Sequence, residues 1–384
     1  MDKERVSTMK LLAAIDSFKG SATSKELNEA ILAAVDHPMI TEKISIPIAD
    51  GGEGTLQAIQ ESLGGDLLSA EVPDLTGALI HAPYLLTDFE GKNTGIIESA
   101  MILGIDRINP SEETIRNTTS LGLGILVSQL VNQGIEKIII TLGGSGTSDG
   151  GLGFLAGMGA LGITKEQENP LLSAETIQLE EALAKLEKVE LTALADVTNP
   201  YVGSQGFSMV FGPQKGGTPD LLNEMDCQAT VIAKELSRYG FGDIASMPGA
   251  GAAGGLGGAI LALGGQIQPG FPAISKLIGL EEQIIQADLI ITGEGSLDTQ
   301  TEKGKVPFGV AKLAKKNGKT VFALCGKRSV EIGAMASFVS GAYAIQLGPV
   351  SLNEAMNREK TIQNIGITGR ELVNLFLEGV SYHD

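Results

Sequence analysis

Lys43-Ile-Ser-Ile-Pro-Ile-Ala-Asp-Gly-Gly-Glu-Gly-Thr55 reads as a short alternating strand, a polar glycine turn and the first residue of a helix. The pattern also stands earlier in the chain. Residues 10–15 (KLLAAI) are an apolar run that ends at Asp16-Ser17. Thr23-Ser-Lys-Glu26 then has the spacing of a capping box. Leu27, Ala30, Ile31 and Ala34 follow at helical intervals, which predicts an amphipathic helix. The tail returns to the same order. Residues 287–292 (ADLIIT) run into Gly293-Glu294-Gly295, residues 319–325 (KTVFALC) into Gly326, and residues 341–347 (GAYAIQL) form a third such run. Strand, turn and helix in alternation predict an α/β fold.

The middle of the chain reads differently. Residues 71–98 hold short β-like pieces (YLLTDF, TGIIES) broken by Gly77 and Gly91, with no helix between them. Antiparallel hairpins are expected there. A helix over 121–132, a strand over 137–142, a charged surface helix over 173–188 and a strand over 190–195 ending at Asp196 follow. From Ile244 to Ser275 no residue is charged. That stretch is too rich in glycine for a membrane span, which needs ~20 predominantly apolar residues, and reads as a loop feeding a buried helix. Two domains are therefore expected. A Rossmann-like parallel-sheet domain is built from residues 1–75 and 275–384, and a mixed α/β domain of residues 76–274 is inserted into it. The active site is expected in the cleft between them.

Composition narrows the function. The 384 residues carry 28 basic and 46 acidic side chains, a net charge of −18. A surface so acidic repels phosphate backbones, which argues against nucleic-acid partners. Aromatic residues are only 4% and tryptophan is absent, so rings for stacking bases are scarce as well. Cys227 and Cys325 make neither a disulfide framework nor a zinc site and suit a reducing cytoplasm. Met1 to Arg5 lacks the apolar core of an export signal, and the residues before Met9 read as a short polar extension. The 51 glycines are nearly twice the ordinary share of ~7%. Many of them fall in turns at predicted strand ends, where open α/β sheets bind ligands. Glycine there lets backbone N–H groups approach an anion closely. An acidic chain holds a nucleotide that way without a basic surface.

Familiar nucleotide motifs do not match. Gly318-Lys319-Thr320 ends like a P-loop, but Leu313 replaces its first glycine and a strand follows instead of leading in. Gly249-Ala-Gly251-Ala-Ala-Gly254 has the letters of a dinucleotide turn without the preceding strand or the later acid. Gly144-Ser145-Gly146 is too tight for a hydrolase elbow, and His37, His81 and His383 form no constellation. Proton transfer then falls to a carboxylate.

The polar turns together resemble the type I glycerate kinases. The matching stretches are Asp16-Ser-Phe-Lys-Gly-Ser21, Ala49-Asp-Gly-Gly-Glu-Gly54, Gly143-Gly-Ser-Gly-Thr-Ser-Asp-Gly-Gly151, Asp196-Val-Thr-Asn-Pro200, Phe211-Gly-Pro-Gln-Lys-Gly216, Gly249-Ala-Gly-Ala-Ala-Gly-Gly255 and Thr292-Gly-Glu-Gly-Ser-Leu-Asp-Thr-Gln-Thr301 with Gly304-Lys305. Their order and spacing fit from about Met9 to the C-terminus. The resemblance implies a two-domain α/β enzyme that uses ATP and Mg²⁺ to phosphorylate D-glycerate, with 2-phosphoglycerate the favoured product. The chain departs from the family pattern at Leu121, Ile125, Gly146, Ser148, Ser296 and residues 327–330.

Phosphoryl transfer needs positioning, neutralised charge and a proton acceptor, and roles are assigned on that basis. Asp196, just past a strand, is taken as general base or magnesium ligand, against capping of the next turn. Asp149 is a magnesium ligand or the N-cap of the helix after it. Asp50 is a catalytic candidate and Glu53 a binding one, since two acids so close need a donor or cation beside them. Lys215 and Lys305 are the catalytic cations, each set among glycines, and Lys19 is a further phosphate contact. Asp16, Ser17, Gly51, Gly52, Gly143, Gly144, Ser145, Thr147, Gln214, Gly251, Gly254, Gly293, Glu294, Asp298 and Gln300 are expected to line the substrate and nucleotide sites. The hydroxyls also suit plain turn bonding. Cys325 is expected as a buried strand-end residue rather than a nucleophile.

Two other readings compete. A nicotinamide-dependent dehydrogenase of a small hydroxy acid needs a strand before Gly249. A hinged ligand-binding protein needs an export signal. The expected partners are glycerate and ATP, with no nucleic acid and no membrane, in a cytoplasmic monomer or homodimer.

Overall fold

The computed structural model describes residues 8–164, 166–174, 176–302 and 304–381. The polar extension before Met9, Thr8 apart, and His383 lie outside the described residues. In chain order the strands are β1 (Met9–Ile15), β2 (Ile40–Ser45), β3 (Asp66–Pro73), β4 (Leu79–Phe89), β5 (Lys92–Glu98), β6 (Lys137–Thr141), β7 (Glu190–Leu194), β8 (Gln266–Gln268), β9 (Leu289–Leu297), β10 (Thr320–Arg328) and β11 (Gly341–Ala344). The chain forms two compact units. One holds the described residues up to Asp50, Gln57–Leu63 and the chain from Phe271 on; the other holds Gly51–Leu56 and Gly64–Gly270.

The first unit is built on a five-stranded sheet of order β11-β10-β9-β1-β2. All of its strands run parallel. Leu11, Ala13, Ile15, Leu289, Ile291 and Leu324 fill one face, and Leu12, Ala14, Ile290 and Ala323 are equally buried on the other. Strands covered on both faces read as unbroken apolar runs, as KLLAAI and ADLIIT do. Full burial of a Leu or Ile side chain is worth about 1.5–3 kcal/mol, so these runs hold the unit together. Helix Ser24–Ala34 starts at the expected capping box, with Thr23 and Glu26 each bonding the other's backbone. Its Leu27 and Ile31 meet Ile365, Val373 and Leu377 of the helix Arg358–Ser381 in the same core. The chain leaves β1 toward β2 and later returns on the other side with β9, so the strand order reverses between β1 and β9. Such a switch point opens a crevice at the carboxyl ends of its strands.

The second unit is built on a six-stranded sheet of order β3-β4-β5-β6-β7-β8. The first pairs are the antiparallel hairpins the sequence predicts, and the rest are parallel. Its core includes Leu126 and Leu130 of helix Leu121–Asn132, Phe154 and Leu155 of helix Leu152–Met158, and Leu256 and Ile260 of helix Ala252–Ala262. The first two helices touch backbone to backbone: a Cβ on Gly124 would lie 2.1 Å from the Phe154 carbonyl oxygen.

Some elements differ from their expected extent. The surface helix expected over 173–188 shrinks to Glu180–Leu186. The residues before it pack inward instead, with Ala174 and Ile177 buried. Strand β2 ends before Pro47, which has no N–H to give a ladder, and the Ile46 N–H already bonds the Ala13 carbonyl at 2.9 Å. Strand β9 does not end at its glycines. Gly293-Glu294-Gly295 continues it, because β10 pairs with it as far as Arg328 opposite Leu297. Among the described residues no helix is long and apolar enough to cross a membrane.

Candidate active site

The switch point of the first unit carries a pocket of ≈ 400 Å³, with Asp16, Lys19, Asp50, Glu294, Lys305 and Lys327 among its walls. Asp16 is the residue after β1. Its N–H donates to the Gly293 carbonyl at 2.9 Å, which extends the β1–β9 ladder one step and fixes the side chain at the strand end. Its Oδ1 accepts the Ser17 N–H at 2.7 Å. Burial, with the charges of Asp50 and Glu294, pushes the Asp16 carboxyl up to about 7, against the Ser17 N–H and Lys19.

Glu294 sits on β9 and is almost fully buried. Thr301 Oγ1 donates to its Oε1, and Lys305 Nζ donates to Oε2 at 2.8 Å. Burial raises its pKa although both partners pull the other way. Lys305 is the N-cap residue of helix Val306–Lys316. Lys19 and Lys327 make no salt bridge among the described residues, so their charges stay available to an anion. Phe18, Leu352, Ala355 and Met356 give the pocket an apolar side. Asp298 and Gln300 are outside it. The Asp298 carboxylate accepts the Gln300 N–H at 2.7 Å and closes the turn after β9. Gly293 lies in the ladder, where a Cβ would meet the Leu324 carbonyl oxygen at 2.0 Å.

The other predicted residues belong to the second unit. The Gly51-Gly52-Glu53 turn leads into helix Thr55–Leu63, and Gly143 packs against it with its Cβ position 3.1 Å from the Gly52 Cα. Glu53 and Gly144 are exposed. Ser145 Oγ and Thr147 Oγ1 lie 3.0 Å apart, and the Thr147 N–H donates to Ser145 Oγ, a local turn. Asp149 is fully buried. Its carboxylate accepts N–H groups of Ser120, Gly151 and Gly153 and the Ser120 hydroxyl. Burial still raises its pKa. The N-cap of helix Leu152–Met158 is Gly151 rather than Asp149; Asp149, two residues before it, still satisfies the Gly151 and Gly153 N–H groups at that helix start. Lys215 is buried too and donates to the Thr147 carbonyl. Burial lowers its pKa to about 8, against the pull of Asp149. Gln214 is exposed beside it.

Gly251 and Gly254 serve close packing. Cβ atoms there would strike the Pro200 and Thr147 carbonyl oxygens at 2.3 and 2.0 Å. Asp196 is exposed past β7, with Oδ1 accepting the Gly270 N–H at 2.8 Å. No three acid, imidazole or thiol groups among the described residues converge on a metal site.

Sequence reasoning missed Glu98, Lys327 and Gln346. Glu98, at the end of β5, is buried and accepts the Gly54 and Leu56 N–H groups at the start of helix Thr55–Leu63. The signal was present: TGIIES ends an apolar strand on an acid. Lys327 and Gln346 reach the pocket only because β10 lies beside β9 and β11 beside β10, which no local pattern reveals. Cys325 is buried as expected, and its thiol is pushed up to about 12 by that burial.

A doubly wound sheet with acids and lysines gathered at its switch point is the build of an enzyme for small anionic molecules. The family follows from the whole chain. It belongs to the glycerate kinase family, whose model matches residues 11–377. A glycerate kinase of Bacillus cereus is 35% identical, over 93% of this chain and 97% of that one. The glycerate 2-kinase of Escherichia coli is 33% identical, over 90% and 93%. A crystal structure assigned as a glycerate kinase 2 from Salmonella typhimurium LT2 superposes with a TM-score of 0.85 at 32% identity, over 97% of this chain and 100% of that one. The chain is thus a small-molecule kinase that draws on a nucleotide, and the dehydrogenase and ligand-carrier readings fall away.

Proposed function

We propose that this enzyme transfers the γ-phosphoryl group of ATP to a hydroxyl of D-glycerate, giving ADP and 2-phosphoglycerate. The observation that carries the reading is the match to the glycerate kinase family over residues 11–377. The pocket at the β1–β9 switch point supports it, because a three-carbon acid fits within ≈ 400 Å³ and finds Lys19 and Lys327, which make no salt bridge among the described residues, there for its carboxylate. Lys305 is held by Glu294, which keeps its ammonium at the pocket wall.

For Mg²⁺ the donor set favours one arrangement. Asp149 spends its oxygens on helix N–H groups and the Ser120 hydroxyl, so we assign it to capping. Asp196, exposed just past β7 and accepting the Gly270 N–H on Oδ1, is the carboxylate we propose for a magnesium–nucleotide complex. Magnesium is commonly held by one or two carboxylates with substrate phosphates and water. When bound, it neutralises charge on those phosphates. Lys215 is proposed as a buried support of the Gly143–Asp149 loop through the Thr147 carbonyl; the Gly146 and Thr147 N–H groups are taken by Leu103 and Ser145, so the anion donors are the other N–H groups of that turn. The same reading makes the enzyme cytoplasmic, as a monomer or homodimer.

The test is direct. The purified enzyme with ATP, Mg²⁺ and D-glycerate is expected to release ADP only when glycerate is present. Phosphorus NMR of the product is expected to show the 2-isomer; the 3-isomer would correct the regiochemistry, and no glycerate-dependent ADP would sink the reading.

A further inference from the structure

We propose that Asp16 is the catalytic proton acceptor of the reaction, taking the proton of the glycerate hydroxyl on its Oδ2. This rests on the kinase reading above and names the group that reading leaves open.

The case is one of elimination among buried carboxylates. Five are buried among the described residues: Asp16, Asp74, Glu98, Asp149 and Glu294. Asp74 closes the turn before Ala78 with its Oδ1 and has Arg107 3.7 Å from Oδ2. Glu98 gives one oxygen to each of two N–H groups. Both oxygens of Asp149 accept N–H groups, and Glu294 is held by Thr301 and Lys305. Asp16 differs. Its Oδ1 accepts from Ser17, and no described residue bonds its Oδ2. The side chain is only 8% exposed, and what remains open faces the pocket. A buried oxygen with an unused lone pair, at the switch point of a parallel sheet, is placed to take a proton from a bound hydroxyl.

The surroundings suit that task. Asp50 after β2 and Glu294 on β9 oppose ionisation of Asp16, and Lys19 favours it. Lys305, at the head of its helix, and Lys327 on β10 complete the charged wall. Helix Leu352–Ala355 brings Glu354 near the pocket's apolar side, but Lys360 already holds that carboxylate. The resulting carboxyl titrates near 7, where a general base is most effective at neutral pH.

The step balances as follows. The glycerate oxygen forms a bond to the γ-phosphorus, and the bond from that phosphorus to the β,γ-bridging oxygen breaks, its electron pair leaving with ADP. The hydroxyl proton passes to Asp16 Oδ2 and then to solvent as product departs.

The experiment compares the unaltered enzyme with Asp16→Asn and Asp16→Glu, each shown to be folded by circular dichroism. Initial rates are read from pH 5.5 to 9, and nucleotide and glycerate binding by calorimetry. The unaltered enzyme is expected to lose kcat below about pH 7. Asp16→Asn is expected to lose about 10²–10⁴-fold in kcat with binding largely kept. Asp16→Glu should recover part of the rate with a displaced acid limb. A folded Asp16→Asn enzyme within tenfold of the original kcat, or with the same acid limb, overturns the role while leaving the kinase reading standing. No glycerate-dependent ADP from the unaltered enzyme overturns both.

Discussion

Lys305 Nζ lies 2.8 Å from Glu294 Oε2, joining the head of helix Val306–Lys316 to strand β9 at the pocket wall. The lysine is 34% exposed and the glutamate 7%, so the two ends of the pair are unequal. Removing Lys305 leaves a buried carboxylate with Thr301 alone. Lys305→Ala is expected to cost about 1–3 kcal/mol, less than a wholly buried pair because solvent screens the lysine. The deficit should shrink on acidification, since protonated Glu294 needs no cation. The double variant Glu294→Gln/Lys305→Ala should be more stable than the sum of its parts. Denaturant melts of the four proteins at two pH values check this; strict additivity would mean the contact carries no coupling.

Asp149 offers a clean separation of structural from metal-binding use. Its oxygens satisfy N–H groups at the start of helix Leu152–Met158 and bind Ser120. Asp149→Ala is expected to cost about 2–4 kcal/mol, because several buried donors lose their acceptor together. The stability of the unaltered enzyme without nucleotide should not respond to Mg²⁺ through this residue. Thermal melts with Mg²⁺ and with chelator test it. A magnesium-dependent gain that vanishes in Asp149→Asn would return the residue to metal binding.

Ala253 is held at φ 50° beside Gly254 and Gly255 at the start of helix Ala252–Ala262. A left-handed conformation costs a residue with a side chain roughly 1–2 kcal/mol, part of which glycine returns as unfolded-chain entropy. Ala253→Gly is expected to stabilise by about 0.5–1 kcal/mol. Gly254→Ala should do the reverse and more, since its Cβ would press on the Thr147 carbonyl oxygen at 2.0 Å. Chemical denaturation of both variants reads the signs.

Much of the architecture was legible because it rests on local pattern. KLLAAI, ADLIIT and KTVFALC announce β1, β9 and β10 as buried strands, and Thr23 with Glu26 announces the helix after β1. Their shared sheet follows from alternation. The glycine turns were legible as special but not as to purpose. Gly251 and Gly254 let backbones touch, and Gly293 lies within a ladder; only the neighbouring chain decides this. Asp16 illustrates the same limit. The sequence places it after a strand, yet its burial, its unused oxygen and its neighbours Asp50 and Glu294 come from strand order. Asp196 has the better local signal, but it is exposed. Lys327 and Gln346 had no local signal at all.

Lys215 is buried with its pKa lowered to about 8 from 10.5. The unfolded chain therefore holds that proton more tightly than the folded one. Charged Lys215 costs stability below about pH 8, and the cost fades as pH rises toward 10.5. Lys215→Met keeps much of the volume and removes the charge, though the Thr147 carbonyl loses a donor. It is expected to match or exceed the original stability at pH 7 by up to about 2 kcal/mol, with the advantage shrinking by pH 10. Its KM for nucleotide should rise about tenfold if the loop that Lys215 supports binds phosphate. Unchanged steady-state constants would make the lysine purely structural.

The Asp16 carboxyl has the opposite sign of charge and so the opposite pH window. Its folded pKa of about 7 lies above the ordinary 3.8. Between those values the folded state binds more protons than the unfolded, so stability falls as pH rises through the window. Asp16→Asn removes an ionisation that the fold resists. It should leave stability near the original at pH 4 and exceed it by about 1–3 kcal/mol at pH 8, a discounted part of what the whole shift is worth at 1.36 kcal/mol per unit. In a melt this is a gain of roughly 2–10 °C. The same substitution is expected to abolish most turnover, so activity and stability move in opposite directions at one residue. That opposition marks a group whose charge is kept for chemistry rather than for folding. Melts of the two proteins across pH 4–8 decide it: a loss of stability on Asp16→Asn at pH 8 would show that the carboxylate supports the fold.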